Sequence, residues 1–499
     1  MNSRLTSLAA ALAVAVPLHS SGAQAPVAAA ARDSGGALVL TLAQSIELAQ
    51  TRGRAAKAAV AARDVARWED RAFSARLRPQ LAFQGLLPRY EHSITPVVQP
   101  DGATAFLPLT EVQSTVGLQL SQELPSLGAR VFVSSGVTRF DLPGVVGRST
   151  RYFQTTPLAV GIEQNLFRPR TLLWDARARD LRTEVADRQY LEAREDVAAT
   201  AAGAFFDLYA ADAALDNAAT NAAVNDTLYV LSKGRYEVGK IGENDLLQSE
   251  LATLRARTAL DGARLERDRA EAALKRVIDY HGGARLSVAQ PADAPAFEAD
   301  TARAVAEALR HASQIEAYEL QRVDARRRLS EARLNNGPGA TVTASAGLNQ
   351  TADVFGSAYR APLGSQAFQL SVAMPLVQWG AGHADVEAAR ADAERVEQSG
   401  RATRELLVEN AHFAALQLAQ SRRQLAISSK ADTVAAKRFD VAKARYVIGK
   451  IDIGALYIAQ SEKDQARLAY VQSLSGFWGA YYRLRRTTLY DFAAGAEIR

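Results

Sequence analysis

Arg235-Tyr236-Glu237-Val238-Gly239-Lys240-Ile241 and Arg445-Tyr446-Val447-Ile448-Gly449-Lys450-Ile451 are two copies of one pattern, 210 residues apart. Each interrupts a long, Ala-rich, charge-laced segment of helical character. Internal repeats fix an architecture before any single motif does. This chain twice sends a helix out, turns it at the glycine and brings it back. Gly239 and Gly449 supply the positive φ that ends a helix at no steric cost.

Working outward, a helical pattern runs from Pro169 to the first turn, about 100 Å at 1.5 Å per residue. Uncapped patterns of that length belong to coiled coils or helical arrays. The first repeat, 26–290, is read as helices over 41–78, 169–235 and 244–279. Its strands lie within 80–167, where Gly, Ser, Thr, Val and Gln rise and period-two alternation appears. Leu158, Val160, Ile162 and Leu166 share one face there, with Gly161, Glu163 and Asn165 on the other. The second repeat, 291–499, replays the order: helices over 301–334, 379–445 and 453–485, with strands at 340–349 and 366–377. Ala75-Arg76-Leu77 and Ala332-Arg333-Leu334 are 257 apart, so the first repeat holds 47 extra residues before Leu166. They fit an added β-hairpin at about 112–139. Its Val116, Leu118, Leu120, Val131 and Val133 are expected to face lipid, which would give each protomer six strands. The alternative is a surface loop outside the membrane.

The N-terminus reads as a signal peptide over 1–25: Arg4, an apolar run from Leu5 to Val16, then Ala23-Gln24-Ala25 as a small-x-small site. No later charge-free run approaches the roughly 20 apolar residues of a membrane helix. The chain has no cysteine, which removes disulfides, thiolate metal sites and thiol nucleophiles. A formal charge of +5 is small for 499 residues and is spread over helices, so no nucleic-acid partner is expected.

Two helical hairpins cannot bury an Ala-rich stripe alone, and four to six strands are too few to close a barrel within one chain. Several copies side by side solve both problems. The sequence is therefore read as mainly α with a membrane β-barrel, an outer-membrane pore standing on a periplasmic helical tube.

The leader, the duplicated helix–strand–strand–helix order, Pro375-Leu376-Val377 with Gly380 after it, and the Tyr-x-x-Gly turns resemble the TolC family of outer-membrane efflux proteins. Asn165-Leu166-Phe167 departs by placing Asn where that family usually has Pro. The resemblance implies a homotrimer with a shared outer-membrane barrel and an α-helical periplasmic tunnel. It implies a passive exit duct of a tripartite efflux or type I secretion system, exporting small molecules or proteins. The partners implied are a periplasmic adaptor, an inner-membrane pump and outer-membrane lipid. A second reading is a structural coiled-coil spacer or adhesin of the envelope.

No catalytic constellation is visible, and no enzyme activity, cofactor or metal is expected. His19, His92, His281, His311, His383 and His412 form no pair at ligand spacing. Gly337-Pro338-Gly339 lacks the Lys-Ser/Thr of a phosphate loop and is read as a turn. At the tips, Gly239, Lys240, Ile241, Gly449, Lys450 and Ile451 repeat an exposed cation and an exposed aliphatic. They are either plain turns or, as the resemblance implies, adaptor-docking points. The family's gate tyrosine and aspartate match Tyr446 and Asp245, and Lys450 adds charge at the same turn. Asp245 followed by Gln248 also fits a capping box. The second repeat departs again, with Ala455 and Ile458 where some members carry acids. Tyr90, Phe106, Phe132, Tyr152, Phe153, Phe355, Tyr359 and Trp379 are candidates for interfacial girdles.

Overall fold

The computed structural model describes residues 38–99, 101–145, 148–291, 294–295 and 297–498; the expected signal peptide lies outside them. In chain order the first repeat runs β1 (Leu38–Leu40), α1 (Leu42–Arg52), α2 (Arg54–Arg76), β2 (Gln80–Val98), β3 (Thr104–Leu124), β4 (Ala129–Val145), β5 (Arg148–Leu166), α3 (Thr171–Glu237) and α4 (Glu243–Val277). After β6 (Leu286–Val288) come α5 (Thr301–His311), α6 (Ser313–Asn335), β7 (Gly339–Ala352), β8 (Leu363–Ala373), α7 (Ala381–Val447) and α8 (Ile453–Thr488). The chain closes on β9 (Tyr490–Asp491) and β10 (Ala496–Glu497). α3 and α7 each hold 67 residues, against 35 in α4 and 36 in α8. Each long helix therefore spans the combined length of two shorter ones.

Three expected elements differ. The helix over 41–78 is two helices that meet at Gly53. A Cβ there would lie 2.3 Å from the Ala49 carbonyl oxygen and 2.9 Å from that of Val277. The break lets α1, capped by a Thr41–Gln44 box, turn Leu42, Ile46 and Ala49 into the core. The helix over 301–334 breaks likewise at Ala312, which is extended (φ −63, ψ 133) and buried. The strand over 366–377 lies instead at Leu363–Ala373, ending two residues before Pro375, which has no N–H for the ladder.

The main core lies where the short helices of both repeats meet the long ones. Leu40, Phe205, Phe206, Leu208, Leu274, Leu286, Phe477 and Leu484 are all within 1 % of full burial. β1 and β6 pair in parallel there and tie the start of the chain to the junction between repeats. Charges are buried in the same layer. Arg485 donates to both oxygens of Glu195 (2.8 and 3.1 Å) and to Asp491 (2.8 Å). Burial pushes the neighbouring Tyr481 hydroxyl up to about 12.

Gly400 shows why a glycine can sit inside α7. The ring of Tyr318 on α6 lies against it, so a Cβ would fall 1.9 Å from a ring carbon. The Tyr318 hydroxyl is anchored by donating to Glu397 (2.8 Å). Gly400→Ala is therefore expected to cost about 1–2 kcal/mol by overpacking. In a Tyr318→Ala background the same change should stabilise by about 0.5–1 kcal/mol, the ordinary helical preference for Ala over Gly. Thermal unfolding of the four variants reads the sign reversal, and a Gly400→Ala effect of the same sign in both backgrounds would refute the packing account.

Candidate functional site

Six strands form one antiparallel sheet in the order β2-β3-β4-β5-β7-β8. Period-two alternation sorts its side chains into two faces. Phe83 pairs with Leu118 and Leu120 with Val133; Val133 pairs with Val160, and Val160 with Ala346. Ile162 pairs with Ala344, and Ala344 with Phe368. These residues, with Leu81, Val131, Leu348 and Leu370, make one continuous apolar face. Phe83 is 70 % and Phe368 73 % exposed. The opposite face carries Gln84 hydrogen-bonded to Gln119, Arg130 paired with Glu163, and Thr343, Ser345 and Gln369. Thr341 donates to the Asn165 side chain (2.9 Å), which gives that asparagine a cross-strand partner. An uncovered apolar face of this size has no place in water. Lipid outside and an aqueous lumen inside account for both faces. Among the described residues no helix is long and apolar enough to cross a membrane.

The hairpin expected at 112–139 is the inner pair β3–β4, and it is longer than the alternation alone marked. The expected aromatic girdle divides. Tyr90 and Phe106 lie on the apolar face, whereas Phe132 and Tyr152 lie on the polar face, Tyr152 stacked on Phe140 at 4.7 Å. Phe153, Phe355 and Tyr359 form an edge-to-face cluster, and Trp379 is 96 % exposed where the sheet gives way to α7.

At the opposite end both glycine turns have the same geometry. Gly239 (φ 70) donates to Tyr236 and Lys240 to Arg235; Gly449 (φ 77) donates to Tyr446 and Lys450 to Arg445. These paired bonds satisfy the last carbonyls of α3 and α7 in Schellman fashion. Lys240 and Lys450 are exposed. Ile241 and Ile451 are half-buried, not exposed as expected. Ile451 folds back onto a tip cluster of Leu228, Phe439, Tyr446, Ile453, Leu456 and Ala459. The exposed aliphatics are Val238 (67 %) and Ile448 (64 %), one residue before each glycine.

Tyr446 is 3 % exposed, so it packs between the hairpins and does not line an aqueous opening. Its hydroxyl lies 3.3 Å from the Ser232 hydroxyl. The Arg235 guanidinium sits over the Tyr446 ring at 5.0 Å and donates to the Tyr446 and Val447 carbonyls (3.4 and 3.2 Å). That places a cation at the negative end of α7. Burial, with Tyr446 adjacent, pushes the Tyr457 hydroxyl up to about 12. Among the described residues no hydrogen bond joins Tyr446 to Asp245. Asp245 is half-buried in the first turn of α4, where its charge favours the helix N-terminus. The capping box with Gln248 does not form, because the helix starts earlier, from Gly242. In the second repeat the corresponding cap is Asp452, which accepts from the Ala455 N–H (2.7 Å). Arg235 and Ser232 were not singled out in the sequence, although an arginine opens both heptapeptides.

Between the ends, α3 packs on α8, leaving α4 and α7 as the outer helices of the two hairpins. Both carry unfilled apolar stripes. Leu406, Phe413, Ile427, Val434 and Val441 recur at multiples of seven along α7, interrupted at Gln420 and continued by the C-cap Ile448, each more than half exposed. Leu247, Leu251, Leu254 and Leu265 follow the same heptad along α4. A seven-residue apolar repeat is the seam of a coiled coil.

Comparison with known proteins agrees with this geometry. The family model described as "Outer membrane efflux protein" matches residues 99–278 and 304–486. Among solved structures, a membrane protein from Pseudomonas aeruginosa is similar at 16 % identity and TM-score 0.65, covering 90 % of this chain and 93 % of that one. The CmeC outer membrane channel of Campylobacter jejuni is similar at 14 % identity and TM-score 0.64, covering 92 % and 86 %. The open state of the MtrE outer membrane channel of Neisseria gonorrhoeae is similar at 16 % identity and TM-score 0.61, covering 92 % and 90 %. No curated protein matches the chain. With both repeats matched by one family model over most of the chain, and the same fold in known channels, the chain belongs to the outer membrane efflux protein family.

Proposed function

We propose that three copies of this chain form the passive outer-membrane exit duct of a tripartite efflux or type I secretion system, working with a periplasmic adaptor and an inner-membrane pump. The observation that carries the reading is the two-faced sheet standing on hairpins about 100 Å long with unfilled heptad flanks. A coiled-coil spacer or adhesin has no use for a sheet with a broad apolar exposed face. In this reading α4 of one copy fills the flank of α7 on the next. The exposed Val238 and Ile448, with Lys240 and Lys450 beside Gly239 and Gly449, form the ring that meets the adaptor. Tyr446 holds the hairpins together at the closed tip with Arg235, while Asp245 and Lys450 supply charge around the aperture.

The repeat supplies the seam between copies. Tyr236 and Arg445 occupy the positions of Tyr446 and Arg235 in the other repeat, and both are exposed. Repeating the observed contact across the seam sets the partner subunit's Arg445 over Tyr236. The chain has no cysteine of its own. Tyr236→Cys combined with Arg445→Cys in membrane-extracted protein should therefore yield disulfide-linked dimers and trimers under mild oxidation, from a heat-dissociable trimer. Protein that fractionates as soluble, or stays monomeric with no cross-linked species, would overturn the reading.

A further inference from the structure

β3 and β4 are interior strands, each hydrogen-bonded along both edges. Their Val116, Leu118, Leu120, Val131 and Val133 continue the apolar face of their neighbours. The turn between them is tied to the start of α3. Arg170 donates to the Ser126 carbonyl (3.1 Å), Gln164 to that of Leu127 (3.3 Å), and the Asn165 N–H to that of Gly128 (3.4 Å). Yet of the six strands in this sheet only four continue into helices: α2 leads into β2, β5 into α3, α6 into β7, and β8 into α7. Six strands thus stand on four helices in every protomer.

We propose that all six strands enter the wall, so that the trimer closes an eighteen-stranded barrel whose mouth is as wide as the helical tunnel beneath it. The inference rests on the duct reading and adds the size class of the cargo. Strands about 4.8 Å apart and tilted about 40° each occupy roughly 6.3 Å of perimeter. Eighteen give roughly 110 Å around and about 36 Å across; the twelve helix-attached strands alone would give about 24 Å. Twelve helices at about 9–10 Å spacing enclose a ring of roughly 110–120 Å, which eighteen strands meet without narrowing. The polar face is also lined by small residues at mid-height. Gly117 pairs with Gly136 and Ala159 with Gly347, and the far edge of the Phe132 ring lies against Gly161. After inward side chains, a bore of roughly 25 Å passes cargo as thick as two packed helices, each about 10–12 Å across. A twelve-stranded mouth would pass one helix or an extended chain.

The cysteine-free background allows a direct test. Leu118→Cys and Val133→Cys probe the apolar face of the hairpin, and Gln119→Cys and Ser134→Cys its polar face. Each variant is labelled with an environment-sensitive fluorophore and reconstituted as the trimer in lipid vesicles. Brominated-chain lipid should quench the first two by more than half, and aqueous iodide the second two. Iodide quenching of all four would put the hairpin outside the membrane and overturn the inference. Phe368→Cys and Val160→Cys, on the helix-attached strands, serve as the reference. If they are quenched by lipid while the hairpin sites are not, the duct reading survives and the wide barrel does not. An electron-microscopic strand count of the trimer is the second readout: eighteen is expected, and twelve would refute the proposal.

Discussion

Arg235→Ala is expected to raise the open fraction of the reconstituted duct by roughly two orders of magnitude. The guanidinium covers the Tyr446 ring and donates to two carbonyls at the end of α7, so its loss frees three contacts between the hairpins at once. The side chain is partly exposed, so we discount the sum to about 1 kcal/mol per protomer. Three copies moving together make about 3 kcal/mol, and each 1.4 kcal/mol is tenfold in a two-state equilibrium. Tyr446→Phe keeps the ring beneath the guanidinium and removes only the hydroxyl facing Ser232, so its effect should be several-fold. Arg235→Lys keeps the charge without the planar fork and should fall between the two. Asp245→Ala should change conductance little, since no hydrogen bond links Asp245 to Tyr446 in the protomer. Single-channel recording in planar bilayers ranks the four. An Arg235→Ala channel as closed as wild type would remove the tip contact from the gate. A large Asp245→Ala effect would restore the aspartate, acting across the seam between copies.

The long helices, both glycine turns and the duplicated order were legible because they rest on periodicities that local sequence must obey. A helical pattern through 67 residues has few other readings. The inserted strands were visible too, since alternation at Val116–Leu120 and Val131–Val133 already faces one way. Strand length was not. Beyond Thr138 the apolar face gives way to Arg139, Asp141 and Arg151; Asp141 pairs with Arg139 along β4 and with Arg151 across to β5. The breaks at Gly53 and Ala312 also escaped, because each depends on what the chain packs against. At the tips the sequence marked the right turns and assigned the wrong exposed aliphatics. Whether Ile451 or Ile448 faces water depends on how the chain leaves the Schellman turn, and both are isoleucine. Tyr446 was matched with Asp245 through the family resemblance; its polar neighbours are Ser232 and Arg235 of α3, more than 200 positions away in sequence, and no local pattern encodes them.

Glu271→Ala is expected to destabilise the helical body by about 3 kcal/mol per protomer. Glu271 is 6 % exposed and serves several partners. It pairs with Arg267, accepts from Lys275 (2.7 Å) and accepts the Leu286 N–H (2.9 Å) that opens β6. Arg267 in turn donates to Asp212 (3.0 Å) and to the Leu286 carbonyl. Removing the carboxylate leaves a buried guanidinium balanced by Asp212 and, more distantly at 3.9 Å, by the exposed Asp268, and frees an N–H beside the β1–β6 pair. Breaking one side of a buried pair typically costs about 3–5 kcal/mol, and we take the low end because Asp212 remains. The same group makes stability pH-dependent. Burial pushes the Glu271 carboxyl up, but Lys275, the Leu286 N–H and Arg267 together hold it below its ordinary value. Its contribution is therefore complete above about pH 4.3, the unfolded value, and is lost as the pH falls through the lower folded value. Asp212 runs the other way: burial raises its carboxyl, so its contribution is present at low pH and fades as the pH rises through its folded value. In the wild type the two partly cancel. Glu271→Gln removes the acid-sensitive contribution and leaves that of Asp212. Its thermal midpoint, followed by circular dichroism of detergent-solubilised trimers, should lie below wild type at pH 7, and the gap should narrow toward pH 3. A gap that is constant across this range would show that Glu271 acts through packing and not through its charge.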